Sequence, residues 1–438
     1  MAGRLAIWLY GMRVAHVEEE RGRLRLLYTE EALARFPLGV PLLSVSLPLS
    51  SRRYPHGVVC PFLDGLLPEG APRRAVADEL DLRASDTYGL IRDLGRDCAG
   101  ALVIQPDDAP APPHPTTVTA ESLDEAEIGE LVANLRSAPL GVSSRVRISL
   151  AGVHEKLLLT RMSSGSWGRP VQGTPSTHIL KPEIAEYPNT VENEAFCMRL
   201  AKHLGLSVAN IETAMIGGRR LLIVERYDRI VHPDGTVERI HQEDFCQATA
   251  IPPEKKYEED GGPSLRQIAA ILHAVAGPDA LETLLGAITL NVLIGNGDAH
   301  AKNFSLVHDR SGSHRMAPLY DLLSTLAYSD DRLAMYIDAV HRTDRVTADR
   351  IINEAARWGL SRRHASDLIT DIFDRTPAAA LAARDETDGV PATIVGVLDS
   401  QLRQLAHRSI AQDARGTRLA QGDRPQDLPR GHPRESSQ

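Results

Sequence analysis

Up to about residue 240 the patterns of this 438-residue chain read mostly as strands, with a few helices between them, and beyond it the apolar residues recur at helical spacing. Period two buries one face of a strand, and a period near 3.6 buries one stripe of a helix. Strands first and helices second therefore imply a β-rich lobe followed by an α-rich lobe. Leu5-Ala6-Ile7-Trp8-Leu9, a polar turn over 18–23 and residues 24–28 read as a β-hairpin. Leu43-Ser44-Val45-Ser46-Leu47 reads as one more strand, ending before Pro48, with helical turns around 61–67 and 75–82. Residues 106–115 hold five prolines, which neither a regular helix nor a central strand accepts, so they read as a linker. A helix over 122–134, a strand pair at 156–160 and 178–180, and a helix over 191–204 stopped by Gly205 follow. Gly217-Gly218 joins two further strands. Helices are expected over 264–274, 280–294, 348–358 and 362–372, and residues 412–438, nearly without large apolars, read as disordered.

Hydrophobic residues at 42% and charged residues at 24% are ordinary for a globular chain long enough for two or three cores. With 49 Lys and Arg against 58 Asp and Glu, the formal charge of -9 argues against a stand-alone nucleic-acid binder. Cys60, Cys98, Cys197 and Cys246 form no CxxC pair and fit a reducing compartment. The first residues read as a strand rather than a signal peptide, and no apolar run is long enough to span a membrane. The expected setting is cytoplasmic, without a membrane.

The stretch from Asn291 to Ser305 carries the most chemical information. An apolar helix runs into Gly295-Asn296-Gly297, which turns the chain and presents Asp298, with Asn303 five residues on. This D-x-x-x-x-N spacing is that of a kinase catalytic loop: a carboxylate orients an attacking hydroxyl while an amide oxygen ligates Mg2+. Lys302 is placed to neutralise a transferring phosphoryl group. Alone, the spacing also suits a polar loop with an Asx turn. Asp321, 23 residues after Asp298 and behind a short apolar run, supplies the second acid that such a site needs for Mg2+. Upstream, Ala151, Gly152, Val153, His154, Glu155 and Lys156 precede a strand, and a short glycine loop can aim N–H groups at phosphate. It lacks the Walker A pattern. Lys181 ends an apolar strand, and Glu192 or Glu194 on the next helix could pair with it.

The segments SLAGVHEKLLL (149–159), THILKPE (177–183), VENEAF (191–196), VERYDR (224–229), HQEDFCQA (241–248), KKYEEDGG (255–262), GNGDAHAKNFSL (295–306) and PLYDLLST (318–325), in this order, resemble the HipA family of toxin kinases. FLDGLLPEG (62–70) and LGRDCAGAL (94–102) are similar to it as well, so the likeness covers most of residues 1 to about 400. The resemblance implies an α+β, two-lobed protein-kinase-like fold: an added N-terminal β-rich subdomain (1–107), a kinase N-lobe (118–240), an all-α C-lobe (241–410) and a disordered tail (411–438). It implies that residues 151–156 hold the phosphates of ATP with Lys181. Glu225, Arg226 and Tyr227 would read adenine through backbone groups, and His300, Ala301, Lys302, Asn303, Tyr320 and Asp321 would complete the nucleotide site. Asn303 and Asp321 would ligate Mg2+, with Asp298 as catalytic acid/base. Ser149 matches the serine whose autophosphorylation displaces the phosphate loop. His154 departs from the family's usual Gln.

The implied activity is an ATP- and Mg2+-dependent serine/threonine protein kinase that stops translation by phosphorylating a translation protein, with glutamyl-tRNA synthetase the best single candidate. The implied partner is a HipB-like helix-turn-helix antitoxin, through which operator DNA would be reached. Two other readings compete. A small-molecule kinase of the aminoglycoside or choline kinase type uses a similar loop, but HQEDFCQA and FLDGLLPEG favour the HipA reading. A catalytically idle corepressor subunit would often lose one of Asp298, Asn303, Asp321 and Lys181.

Overall fold

A computed structural model describes residues 3–136, 138–140, 149–152, 155–171 and 173–420, with side chains as far as residue 406. The chain opens with three antiparallel strands, Arg4–Leu9, Met12–Glu20 and Arg23–Tyr28, to which Leu102–Pro106 adds a fourth beside Arg4–Leu9. The expected single hairpin is therefore two. Each turn is made by a residue pair at positive φ, Tyr10-Gly11 and Arg21-Gly22, the geometry that lets a two-residue loop follow the strand twist. One face of this sheet packs on the helices His56–Asp64 and Thr87–Leu94 around Leu5, Ile7, Leu26, Phe62, Leu63 and Ile91.

Leu43 and Leu47 are fully buried, as their alternation implies, but no strand forms there. The Ser44 hydroxyl donates to Glu243 Oε2 (2.5 Å), and the Val45 N–H donates to Glu243 Oε1 (2.8 Å). A distant carboxylate thus takes the Val45 N–H that a ladder would use. The proline-rich stretch is likewise no free linker. Gln105 Nε2 donates to the Pro110 carbonyl, and the His114 ring lies 5.5 Å from that of Tyr10.

The next sheet has six strands in the order Ile211–Ile216, Arg219–Glu225, His178–Pro182, Leu157–Arg161, Trp167–Pro170 and Ala120–Leu123. Its outer face rests on the helix Glu125–Ala133, which Asp124 and Glu127 cap reciprocally. Gly217 is required at the hairpin: its φ is +56°, and a Cβ there would meet Gly129 Cα at 2.5 Å. On the other face lies the helix Thr190–His203, whose Val191, Ala195, Phe196 and Met198 share one continuous core with the helical lobe.

That lobe is built on Leu265–Ala276, Asp279–Leu293, Ala348–Arg357, Arg362–Asp385 and Ala392–Ala420. It is not helical throughout. His241–Asp244, Ser305–His308 and His314–Met316 form a three-stranded sheet, and Arg332–Ile337 pairs with Val340–Arg342. These strands are too short for their periodicity to stand out in the sequence. The last helix continues to Ala420, so residues 411–420 do not open a tail, and 421–438 lie outside the described residues. The four cysteines are free thiols, and no described helix is long and apolar enough to cross a membrane.

Candidate active site

The helix Asp279–Leu293 ends in a turn that its own asparagines build. Asn291 is buried near the end of the helix, its Oδ1 accepts from Asn296 Nδ2 (2.8 Å), and Asn296 Oδ1 accepts the Asp298 N–H (3.1 Å). Gly295 has φ +65°, and a Cβ there would sit 2.8 Å from Leu326 Cβ, so only glycine turns the chain at this point. The result delivers Asp298, half-buried, to a cleft bounded by both lobes and by the N-terminal subdomain. Burial pushes its carboxyl up to about 6, while the Tyr257 hydroxyl, donating to Oδ1 at 2.7 Å, opposes the rise. Such a carboxylate can accept a proton near neutral pH. The roles of Asn291 and Tyr257 escaped the sequence reading, although an Asn inside a largely apolar helix signals a buried polar partner.

Asp321, Asn303, Lys181 and Glu194 meet in the same cleft. Lys181 Nζ lies 2.7 Å from Glu194 Oε1 and 2.8 Å from Asp321 Oδ1, and Asn303 Nδ2 donates to Asp321 Oδ2 (2.8 Å). Of the two candidate acids, Glu194 is thus the partner, while Glu192 faces Arg220 (2.6 Å). Burial disfavours the Lys181 charge, but Asp321 and Glu194 outweigh it and raise its pKa above the ordinary lysine value. Asp321 adopts φ +57°, a left-handed conformation that Asp tolerates. Asn303 Oδ1 is buried without a hydrogen-bond partner among the described residues. A buried amide oxygen beside a carboxylate is what a hard cation such as Mg2+ completes. No group of three or more His, Cys, Asp or Glu that could hold a metal occurs among the described residues. A cation here would draw its remaining ligands from phosphate or water.

Lys302 does not stand free for a phosphoryl group. Its Nζ is 2.5 Å from Asp244 Oδ2 and 3.8 Å from Glu69 Oε1, and it is buried. Sequence adjacency to Asn303 hid this pairing, because both carboxylates come from distant segments. His300 is buried, its imidazole held neutral by burial and by Lys256, with Nδ1 lacking a hydrogen-bond partner among the described residues and the ring edge-on to Tyr257 at 5.4 Å. Ala301 lies beneath, its N–H on the Lys256 carbonyl. The Tyr320 hydroxyl donates to the Lys302 carbonyl (2.6 Å), and its ring lies 5.9 Å from that of Tyr227.

Of the proposed phosphate loop, Val153 and His154 lie outside the described residues, as do Arg145 and Arg147 near Ser149. Gly152 has φ +113°, and a Cβ there would meet Lys156 Nζ at 2.6 Å. Lys156 Nζ donates to the Ala151 carbonyl (2.8 Å); burial, then Lys181, lowers it to about 8. Glu155 instead turns outward to Arg136 (2.8 Å). In the proposed hinge, the N–H groups of Glu225 and Arg226 donate to the Asn210 and Thr177 carbonyls and are not free for a base. The Arg226 side chain is buried against Asp228 (2.9 Å) and Ser176 (2.8 Å). Ser149 is fully buried, its hydroxyl donating to the Leu66 carbonyl (2.5 Å) and its N–H to the Asp97 carbonyl (2.9 Å).

Comparison with known proteins adds family information to this geometry. The family model described as the HipA N-terminal domain matches residues 5–105, and that of the HipA-like C-terminal domain matches 148–380. The chain is 39% identical over 395 residues to the Sinorhizobium fredii protein named "Putative kinase Y4mE", covering 87% of this chain and 92% of that one. It is 32% identical over 335 residues to the "Serine/threonine-protein kinase toxin HipA" of Shewanella oneidensis, covering 73% and 75%. Its fold is similar to a chain in the solved complex of Shewanella oneidensis MR-1 HipA, HipB and operator DNA. There the TM-score is 0.78 at 27% identity, covering 92% of this chain and 97% of that one.

Proposed function

Because the chain belongs to the HipA family of kinases, we propose that it is a serine/threonine protein kinase using ATP and Mg2+, and that it acts as a toxin. The observation that carries this reading is the meeting, in one cleft, of Asp298 with the Lys181–Asp321–Asn303 set, whose amide oxygen has no partner among the described residues. In this reading residues 118–240 form the nucleotide-binding lobe, 241–410 the catalytic lobe and 1–107 a subdomain that closes the cleft from the side.

The residues divide the work as follows. Lys181, held by Glu194, binds phosphate oxygens, and the Tyr227 N–H addresses the base. Asn303 Oδ1 and Asp321 hold the Mg2+, which when bound neutralises charge on the phosphates. Asp298 takes the proton of a substrate serine or threonine hydroxyl as its oxygen bonds to the γ-phosphorus. The bond to the β–γ bridging oxygen breaks, and ADP keeps that electron pair. Ser149 is the self-inactivation site. Its hydroxyl is tucked against Leu66, so it becomes a substrate only after the segment leaves, which favours modification between molecules. A phosphate there adds about −1.5 to −2 charges and keeps the phosphate loop from closing.

A HipB-like antitoxin that carries operator DNA, a translation-protein substrate with glutamyl-tRNA synthetase as the leading candidate, and a cytoplasmic setting belong to the same proposal. Radiolabelled transfer from ATP into a lysate, with mass spectrometry of the labelled protein and of Ser149, tests it. Asp298→Asn should lower transfer by about 10²–10⁴-fold while ATP still binds. Transfer within about threefold of wild type would remove Asp298 from the mechanism.

A further inference from the structure

Asp298 needs more than a place in the cleft: a carboxylate that accepts a hydroxyl proton must keep one oxygen fixed and the other available. The segment 255–262 meets that need. Tyr257 donates its hydroxyl to Asp298 Oδ1 (2.7 Å), and its ring stands edge-on to His300 at 5.4 Å and 82°. Tyr257 does not depend on Asp298 for its own position. Its carbonyl accepts the N–H groups of Asp260 (3.1 Å) and Gly262 (2.9 Å), closing a tight loop. A Cβ on Gly262 would run into the carbonyls of Lys255 and Tyr257, so the loop tolerates only glycine there. Two further contacts pin it from outside. The Glu258 carboxylate accepts the Tyr336 N–H (2.7 Å), and Lys256 receives the Ala301 N–H on its carbonyl while its Nζ sits 3.5 Å from Glu69 Oε2. The loop is thereby tied to the strand Arg332–Ile337, to the turn just after Asp298 and to the N-terminal subdomain.

Resting on the kinase reading above, we infer that Tyr257 is the positioning residue of phosphoryl transfer, holding Asp298 by one oxygen so that the other is left for the acceptor hydroxyl. Burial pushes the phenol of Tyr257 well above its ordinary value, so it remains a donor at any working pH. A donor to the ionised carboxylate favours that form, and the proton taken from the acceptor goes to the opposite oxygen. The charged and titratable groups that face Asp298 besides Tyr257 are Lys256, Asp321 and Asp330. All three persist when the hydroxyl alone is removed.

Tyr257→Phe keeps the ring against His300 and deletes only that donor. The expected result is a fall in kcat of about ten- to a hundredfold, the worth of one hydrogen bond to a charged group. The KM for ATP should stay within about twofold, because Tyr257 serves Asp298 and not the nucleotide set. The acid limb of the kcat–pH profile should move up by about one unit, since the carboxylate loses a stabilising donor. A tyrosine that merely fills space predicts wild-type kcat and an unmoved limb, and that result overturns the assignment.

A second readout needs no activity. An acid whose folded pKa is raised loses stability as pH climbs from its unfolded to its folded value, and Tyr257→Phe extends that climb. The melting-temperature deficit of Tyr257→Phe should therefore be larger at pH 8 than at pH 5. In an Asp298→Asn background it should be the same at both. If the wild-type protein transfers no phosphate, the kinase reading falls by itself. The melting comparison then still decides Tyr257, and a pH-independent deficit in the wild-type background refutes its hold on Asp298.

Discussion

Lys302, in the cleft, has its ammonium 2.5 Å from Asp244 and 3.8 Å from Glu69, whereas Lys156, at the end of the proposed phosphate loop, has its ammonium on the Ala151 carbonyl. The consequences run in opposite directions. Burial works against both charges, but Asp244 and Glu69 overcome it at Lys302 and hold that pKa above the ordinary value. At Lys156 burial is reinforced by Lys181, and the pKa drops to about 8. A buried cation matched by fixed carboxylates is scaffold, because any newcomer must compete with them. A cation left with a neutral acceptor carries unmatched charge, and a phosphate gains most beside it. Lys181 lies between the two: it is matched, but one of its partners, Asp321, is also a proposed metal ligand.

The sharpest way to break this contrast is to neutralise each lysine in turn. Lys302→Met takes the cation from the buried Asp244 carboxylate, and breaking such a pair costs about 3–5 kcal/mol. Urea unfolding of the purified variant should find most of that loss; a cost under about 1 kcal/mol would mean that Asp244 and Glu69 do not depend on Lys302. Lys156→Met should leave stability at or above wild type below pH 8, since a depressed folded pKa means that the charge opposes folding there. Its effect belongs in binding: calorimetry with Mg–ATP should show about ten- to a hundredfold weaker affinity, the loss of one charge-assisted hydrogen bond. Unchanged affinity would assign Lys156 to the scaffold beside Lys302.

The intermediate case sharpens the comparison further. Asp321→Ala should weaken nucleotide binding by about tenfold when Mg2+ is present and much less when it is absent, because the carboxylate serves the cation. Equal affinities for variant and wild type in both conditions would refute the metal role. The smallest expected effect is a pH dependence. A Lys156 pKa of about 8 implies that ATP affinity falls by about fourfold between pH 7 and 8.5, with proton uptake on binding above pH 8. The same change should be absent from Lys156→Met, and a wild-type affinity that is flat across this range would contradict the lowered lysine.

How far the site could be read in advance depended on distance along the chain. The turn that presents Asp298 was legible because Gly295, Asn296 and Gly297 act on their own neighbours. The hairpin at Gly217-Gly218 was legible for the same reason. Glu192 and Glu194 were not separable: residues two apart on a helix face different ways, and only packing chooses the face that meets Lys181. The expected strand over 43–47 failed because Glu243, about 200 residues on, takes the Val45 N–H. Glu69 and Tyr257 stood inside quoted segments without a role, since nothing near either residue shows what it faces.

By itself, then, the sequence determined the order of a β-rich and an α-rich lobe, the backbone turns and the chemical types available to the cleft. These rest on interactions within a few residues, where bond geometry and side-chain period leave little choice. Tertiary structure alone decided which charges meet: Lys181 with Asp321 across 140 positions, Lys302 with Asp244 across 58, and Tyr257 with Asp298 across 41. Electrostatic and hydrogen-bond energies depend on separations of a few ångström in a medium poor in water, and the folded core is what fixes those separations.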